Sequence, residues 1–574
     1  MKSYTPISLW KDFDPESYPF DATLFRQETV DGFVVQTYLF CGDKIKKQSS
    51  RVLAKVVFKS TKKKLPVVVV VDPFERINVQ LLCNWAKQGY MAMAIDYLGE
   101  SDQHDGMMTI YPKSMQFANY NEAKDNLRSV NGDARKCCWY QWTLNTRRAI
   151  AFAKTLDNAD PENIGIYSIR GGNIIVIQTM AMDKNVKTGA VMYGNLWETF
   201  EHIAVAGANL DARTIKQNIE ILGNNDEWLA AISPQSYLSY IKQPFFTCVG
   251  TNSPKTDMDR TYECLSRMGN DGNGMVLFIP RAMDSMLSEY MKNLEKWFAQ
   301  QLLPTESKFN MRDVDIDISA RINDGNVEIV AQSDSHFSSL DLYYCRDKQR
   351  TNGTRNWVCQ TMKKQSSGGY FTTLKLFDPQ TPVIAFCNAT FRNGVRVSSN
   401  LLKFVPNKKF AGEEISLSQR SPVIYVGDLG TAEFTPMTPM GTQRGPFVDE
   451  NPVSQACGPF DIAGLYGTRM GSFIIGDDCM QVGNNSLLMM DVCSNEPQDL
   501  NVYFVVDWGK DSLTVYKHTC KLKGGANWQK ISLGAGDFKD DLRARTVKEL
   551  SFAEASVICF EAKEGVMLNN VIFT

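Results

Sequence analysis

Short apolar runs alternate with helical segments over residues 1–303. Continuous apolar runs are typical of strands buried on both faces, and spacing near 3.6 residues indicates amphipathic helices. Strands are predicted at 52–58, 65–71, 91–96, 164–168, 188–193, 245–250 and 275–279. Helices are predicted at 81–88, 139–156, 174–182, 258–268 and 286–303. This alternation predicts an α/β fold with a doubly wound, mostly parallel sheet covered by helices.

The pattern changes to period two beyond residue 303, with turns rich in Asn, Gly and Asp. A period-two pattern with turns of this composition is typical of all-β domains. The predicted strands are 314–322, 327–332, 339–345, 370–376, 383–388 and 401–404, and then 472–475, 486–492, 500–506 and 566–573. We therefore predict three domains: an α/β domain at 1–303, an Ig-like β-sandwich at 311–405 and a jelly roll at 411–574.

Composition narrows the class of protein. A chain of 574 residues exceeds one core of roughly 150 residues, and the net charge of −2 predicts neither a nucleic-acid nor a membrane partner. No run approaches the ~18 apolar residues of a membrane span, and residues 1–20 lack the apolar core of a signal peptide, so we expect a cytoplasmic protein. The 14 cysteines contain no Cys-x-x-Cys pair, which predicts free thiols, no metal and no cofactor; a disulfide framework is the alternative.

The most informative motif is an apolar strand that enters a glycine pair and leaves as a helix: Gly165-Ile166-Tyr167-Ser168-Ile169-Arg170-Gly171-Gly172. This is the pattern of a nucleophile elbow, in which small residues flank a serine at a sharp turn. When the motif is aligned on Gly172, the serine position holds Arg170. The scaffold for a nucleophile is present, but the nucleophile is not.

Further segments carry a family resemblance: Gly89-Tyr90, Ile95-Asp96-Tyr97-Leu98-Gly99-Glu100-Ser101, Tyr111-Pro112, Trp139-Tyr140-Gln141-Trp142 and Asn293-Leu294-Glu295-Lys296-Trp297-Phe298. With the elbow, they resemble an α/β-hydrolase of the dienelactone hydrolase and acetyl xylan esterase type. Near the other end, Trp528-Gln529-Lys530-Ile531-Ser532-Leu533, Asp537-Phe538-Lys539 and Leu568-Asn569-Asn570-Val571-Ile572-Phe573 resemble carbohydrate-binding jelly rolls.

The resemblance implies a catalytic triad and an oxyanion hole, which acyl transfer on this fold requires. The family's histidine follows the last strand, yet residues 280–286 contain none, and the oxyanion segment after 67–71 begins with Asp72. We therefore predict a pseudo-esterase that binds carbohydrate or a small acylated or anionic ligand. The alternative is an active carbohydrate (acetyl xylan) esterase with a rearranged site.

The candidate replacements for the triad are Ser168, His104 and Asp257; a lone His202 is more often structural, and His336 and His518 fall in the predicted β domains. Arg170 has two interpretations. It forms a structural ion pair with Asp257, Asp284 or Asp72, or it makes an anion pocket at the helix N-terminus with Asp72 and Asp284 beside it.

In the jelly roll, the resemblance implies aromatic rings that stack on sugars. The candidate platforms are Trp508, Tyr466, Tyr503 and Tyr516. Trp528 lies in an alternating Trp-x-x-Ile-x-Leu run and is predicted to belong to the core instead.

Overall fold

The computed structural model describes residues 3–45, 47–101, 107–125, 127, 129–130, 132–196, 222–223, 227–253, 256, 258–269, 272–282, 288–303, 310–348, 352–366, 368–437, 439, 452–483, 485–508, 513–541 and 549–574. We call residues 3–303 the first part, 310–405 the second part and 411–574 the third part. None of the helices in these described stretches is long and apolar enough to cross a membrane.

The first part contains strands β1 (Thr23–Val30), β2 (Phe33–Ile45), β3 (Gln48–Phe58), β4 (Leu65–Val71), β5 (Met91–Ile95), β6 (Ser129–Val130), β7 (Ala159–Ile169), β8 (Thr188–Met192), β9 (Leu222–Gly223), β10 (Phe245–Gly250) and β11 (Gly274–Ile279). Its helices are α1 (Pro6–Trp10), α2 (Val79–Lys87), α3 (Tyr120–Ala123), α4 (Cys138–Ala153), α5 (Asn173–Met182), α6 (Met258–Ser266) and α7 (Ser288–Leu302).

Nine of these strands form one sheet in the order β1-β2-β3-β5-β4-β7-β8-β10-β11. The first three run antiparallel and the other six are parallel. Alternate residues of β4 point to opposite faces: Val69 packs in a core with α4 and α5, and Val68 in a core with α2 and α7. A mostly parallel sheet between two helical layers confirms the predicted α/β-hydrolase fold class.

The second part contains β12 (Asp317–Asn323), β13 (Asn326–Gln332), β14 (Ser339–Arg346), β15 (Val358–Thr361), β16 (Lys363–Lys364), β17 (Tyr370–Thr373), β18 (Val383–Thr390), β19 (Arg396–Ser398) and β20 (Leu402–Phe404). They form two antiparallel sheets, β12-β13-β17-β16 and β15-β14-β18-β19, with β20 beside β18. Ile329 of one sheet and Leu342 of the other belong to the same buried core. Helix α8 (Pro406–Lys409) follows this part.

The third part is also all-β: β21 (Val423–Tyr425), β22 (Ser454–Cys457), β23 (Ala463–Ser472), β24 (Leu487–Ser494), β25 (Gln498–Val506), β26 (Thr514–Leu522), β27 (Asn527–Gly534), β28 (Lys539–Asp540) and β29 (Ala555–Phe573). Strand β29 pairs with β21, β23, β24 and β25, so it is the hub of this part. The predicted strand at 472–475 is wrong. There β23 ends and a 3-10 turn follows, because the Ser472 hydroxyl accepts the N–H of Ile474.

Helix α4 is buried along its whole length, and its polar residues therefore need internal partners. The guanidinium of Arg148 donates to the carbonyl oxygens of Cys41, Pro15, Tyr18 and Pro19 at 2.5–3.2 Å. These bonds attach the segment before β1 to the back of α4. They offset the cost of burying a cation, which is large when its donors are unpaired.

A buried ion cluster joins the first part to the second. Arg355 donates to both carboxylate oxygens of Asp259, on α6, at 2.7 and 2.8 Å and to Asp347 at 3.0 Å. The side chain of Arg355 is 1% exposed. Burial alone would raise the pKa of Asp259, but Arg355 and Lys403 outweigh it and hold the pKa of Asp259 below its ordinary value. The carboxylate is therefore charged and paired.

A second ion cluster joins the second part to the third. Arg346 pairs with Asp477 at 2.7 Å, and both side chains are buried. The neighbouring Asp478 has no exposed side-chain surface and pairs with Lys348 and with Arg420, the latter at 3.1 Å. Together the two clusters hold the three parts in contact, because Asp259 and Asp477 each pair with an arginine of the second part.

Replacement of Arg355 tests how far the fold depends on the ion cluster between the first and second parts. Arg355→Met keeps similar volume but removes the buried cation that contacts both Asp259 and Asp347, and breaking a buried pair typically costs about 3–5 kcal/mol in the free energy of unfolding. We expect urea denaturation to show a loss of this size. The matched control is Arg267→Met, which removes an exposed i,i+4 pair with Glu263 and costs about 1 kcal/mol or less. Equal losses in the two variants would contradict the prediction.

Candidate functional site

The turn between β7 and α5 has the close packing of a nucleophile elbow. It spans Arg170–Gly172. A Cβ at Gly172 would lie 2.7 Å from the Cβ of Ser168 and 2.9 Å from the carbonyl oxygen of Val71, and a Cβ at Gly171 would overlap the ring of Phe74. Both positions are therefore packed too closely for a larger side chain, unless in the case of Gly171 the ring of Phe74 gives way.

Ser168 lies within β7, two residues before the turn. Its Cα pairs with Val71 on β4 and with Val191 on β8, and its side chain is fully buried. No described residue hydrogen-bonds its Oγ. A buried hydroxyl that contacts no base among the described residues argues against the nucleophile role considered for it.

Aromatic rings fill the space beside the turn. The ring of Phe74, on the loop after β4, packs against Gly171 and lies 6.0 Å from Trp139 and 6.4 Å from Trp142, edge to face. Tyr120 adds a further contact at 6.0 Å. The indole N–H of Trp142 donates to the carbonyl of Ala118 at 2.9 Å, so this donor points away from the turn. The backbone N–H of Phe74 in this loop is already bonded to Asp72 at 3.3 Å.

Asp72 begins that loop and is half-buried. Its Oδ1 accepts the backbone N–H of Phe74 at 3.3 Å, which turns the carboxylate towards its own loop. The backbone of Arg170 is described but its side chain is not, and His104, His202, Asp257 and Asp284 lie outside the described residues. The predicted ion pair and the predicted anion pocket at Arg170 both stay predictions.

The two histidines that the structure describes lie away from the first part. His336 is exposed in the loop between β13 and β14. His518, on β26, has its Nδ1 3.0 Å from the carbonyl oxygen of Asp537, and its ring lies 5.8 Å from that of Phe538. His336 and His518 belong to the second and third parts, whose sheets are separate from the sheet that contains β7.

Three of the four predicted sugar platforms are buried. Trp508 packs edge-on against Phe473 at 5.9 Å, and Tyr516 belongs to the core of the third part. Tyr503 is 5% exposed and donates its hydroxyl to Glu561 at 3.1 Å. Their covered ring faces argue against a stacking role. Tyr466 differs, because it is 40% exposed and lies over Gly565.

Tyr466 is part of a row of side chains that crosses four strands on the outer face of the third part. The register pairs Tyr466 with Met567, Met567 with Cys493, and Cys493 with Trp528. Directly paired residues share one face of a sheet. The neighbouring residues in the chain, Leu465, Leu568 and Val492, are fully buried and point to the opposite face. We call this row, with Phe460, the aromatic face.

Trp528 lies across the sheet. Its ring extends from β27 to β23, where a Cβ at Gly464 would be 3.1 Å from the indole Cη2. Its Nε1 donates to the carbonyl oxygen of Pro459 at 3.1 Å. The ring therefore covers Cys493 between the two strands and explains why this outward-facing residue is buried. The prediction that Trp528 is core is wrong: it is half-buried and held at the surface.

Phe460 stands beside Trp528, in the loop between β22 and β23. It is 86% exposed, and its φ of 62° places it in the left-handed region, as does that of Asp461 at 58°. A bulky residue in this region is strained, and strain of this kind concentrates at functional sites. The sequence analysis missed Phe460. The available signal was a large aromatic residue between Pro459 and Asp461, in a loop with no core to fill.

Polar side chains flank the aromatic face. The next outward row pairs Asn569 with Asp491 and Asp491 with Lys530. The adjacent Asn570 donates from its amide to the Asp491 carboxylate at 2.8 Å. An amide, a carboxylate and an ammonium group together supply both donors and acceptors at one edge of an apolar surface.

Comparison with known proteins adds a resemblance in the first half of the chain. No family model matches the chain, and no curated protein matches it. Among solved structures, acetyl xylan esterases from a Paenibacillus and a Thermoanaerobacterium species are 16% and 14% identical, with a TM-score of 0.39 each. Both matches cover 50% of this chain, and 91% and 90% of those proteins.

A cold-adapted esterase from an Arctic intertidal metagenomic library is 12% identical and has a TM-score of 0.32. This match covers 49% of this chain and 99% of the esterase. These similarities extend over about half of the chain.

The packing at the β7–α5 turn yields a paired test. Gly171→Ala places a methyl group into the ring of Phe74, and overpacking of this kind costs about 1–3 kcal/mol in the free energy of unfolding. We expect Phe74→Leu to relieve the clash, so that the double variant Gly171→Ala/Phe74→Leu is more stable than Gly171→Ala alone. Denaturant titration of the four proteins measures the coupling, and strictly additive losses would show that the two residues do not touch.

Proposed function

We propose that this protein binds carbohydrate through the aromatic face of its third part and does not hydrolyse esters at the β7–α5 turn. The observation that carries the proposal is the arrangement of Trp528, whose half-exposed ring is fixed by the bond to Pro459 beside the exposed rings of Phe460 and Tyr466. A ring that is immobilised before binding loses little entropy when a ligand covers it.

Sugar rings present apolar C–H faces and a rim of hydroxyl groups, and the aromatic face offers partners for both. Aromatic side chains supply large apolar contact areas. Asp491 and the exposed Lys530 and Asn570 lie in the adjacent polar row, where hydroxyls find donors and acceptors. A purely apolar ligand would make no use of this polar row, so the combination of aromatic rings and polar groups favours a carbohydrate.

The case against ester hydrolysis at the turn has two supports. Arginine occupies the nucleophile position and cannot be acylated as a serine is. The nearest serine, Ser168, is enclosed in the sheet, and Phe74 occupies the loop from which an oxyanion donor would come. The alternative function, an active carbohydrate esterase with a rearranged site, would need a nucleophile elsewhere.

Glycan binding is tested by native gel electrophoresis in the presence of soluble xylan, mixed-linkage β-glucan or pectin, followed by calorimetry with oligosaccharides of whichever polymer retards the chain. We expect retardation by at least one polymer. Trp528→Ala and Phe460→Ala should each weaken binding at least about tenfold, equivalent to about 1.4 kcal/mol, because truncation of a central aromatic contact typically costs that much or more.

The matched control is Leu487→Ala. Leu487 is 43% exposed and lies on the same strand as Cys493, but six residues away, or about 20 Å along β24. Its truncation should leave affinity unchanged. No retardation by any polymer, or equal losses in the control and the aromatic variants, would count against the aromatic face as a sugar site.

Ester hydrolysis is tested separately with p-nitrophenyl acetate and acetylated xylo-oligosaccharides. We expect the wild-type chain and Ser168→Ala to show the same background rate, because the hydroxyl of Ser168 is buried. Arg170→Ser tests whether the turn alone supports acylation, and we expect no gain without a histidine base. If the wild type hydrolyses these substrates and Ser168→Ala abolishes the activity, the protein is instead an active esterase with a rearranged site.

A further inference from the structure

The two edges of the nine-stranded sheet differ. At the β11 edge, the backbone N–H of Phe278 donates to the Ser398 hydroxyl at 2.9 Å, and the carbonyl of Phe278 accepts from the Asn388 amide at 3.0 Å. The second part thus covers that edge. At the other edge lies β1, which among the described residues pairs only with β2. Uncovered edges are templates for pairing with another strand.

The hairpin that joins β1 to β2 determines which backbone groups of β1 face outward. Its two-residue turn, Asp31 with a φ of 52° and Gly32 with a φ of 81°, pairs Val30 with Phe33. In such a hairpin the flanking pair is hydrogen-bonded, and bonded positions recur every second residue. Glu28 and Arg26 therefore bond to β2, and the N–H and C=O of Gln27 and Thr29 point to the open edge.

The side chains of β1 complement a second copy of the same strand. In an antiparallel pairing about a two-fold axis through Gln27, Arg26 of each copy lies opposite Glu28 of the other. These are non-hydrogen-bonded positions, where facing side chains are closest. Both charges are at the surface, with 56% and 36% of their side chains exposed, and their present partners are each other, at 2.8 Å within one strand.

The same register uses the remaining exposed residues of β1. The register of β1 shifts between Leu24 and Arg26, so the regular pairing is centred on residues 26–28, and Phe25 and Leu24, 54% and 45% exposed, lie at this bulge and add apolar surface at each end of the pairing. A two-fold axis repeats every contact, so one complementary pair becomes two. We propose that two copies of this chain associate through β1, forming one continuous sheet that doubles the nine-stranded sheet of each copy.

Sedimentation of the full chain over a range of concentrations tests this assembly. As the concentration of the wild type rises, its apparent mass should increase from 64.6 kDa towards twice that value. In Arg26→Glu, a negative charge at position 26 of each copy would lie opposite Glu28 of the other copy. We expect the dissociation constant of the dimer to rise at least tenfold. The charge exchange Arg26→Glu/Glu28→Arg recreates complementarity with the same composition and should restore the wild-type constant.

Gln27→Pro provides an independent variant, because it removes an N–H that points outward and spares the bonds to β2. We expect it to leave the chain folded by circular dichroism and monomeric. The proposal is overturned if the wild type stays monomeric throughout, as it would if the charges of β1 served only to prevent pairing. It is equally overturned if a dimer forms that Arg26→Glu and Gln27→Pro do not weaken.

Discussion

A carboxylate removed from water must be paired with a cation, and in this chain the partner often lies in a different part of the sequence. Asp259 of the first part depends on Arg355 of the second, and Asp477 of the third part depends on Arg346. Because breaking a buried pair costs more than forming it gains, these contacts fix position more than they add stability. The ion pair and the apolar core that the two parts share together hold the second part over the edge of β11.

The resemblance implies an esterase site in the first part and a sugar site in the third, and the two parts differ in how far they retain these sites. The first part keeps the strand, turn and helix of an elbow, yet it presents arginine and packs the surrounding space with Phe74, Trp139 and Trp142. The third part carries the exposed rings and polar row on strands that radiate from β29. Under the proposed function, the hydrolase-like sheet serves as a scaffold and the third part binds the ligand.

Much of the fold follows from local pattern. The runs at 65–71 and 245–250 coincide with β4 and β10, since an unbroken apolar run has one stable placement inside a sheet. The sequence did not reveal the β1–β2 hairpin, whose first strand is exposed on both faces and lacks that signal. It also misplaced the sugar platforms. Trp508 follows β25 and is covered by Phe473, whereas Trp528 lies on β27 opposite Cys493, and both contacts involve residues distant in the chain.

Strand β29 follows all its partners in the chain, and the position has a consequence for synthesis. A ribosome releases β21 to β28 before β29. During translation β21, β23, β24 and β25 therefore have an unpaired edge until β29 has been made. Contacts between such distant segments form slowly, and unpaired edges favour aggregation meanwhile. The third part is therefore the segment of this protein most in need of a chaperone while it is being made.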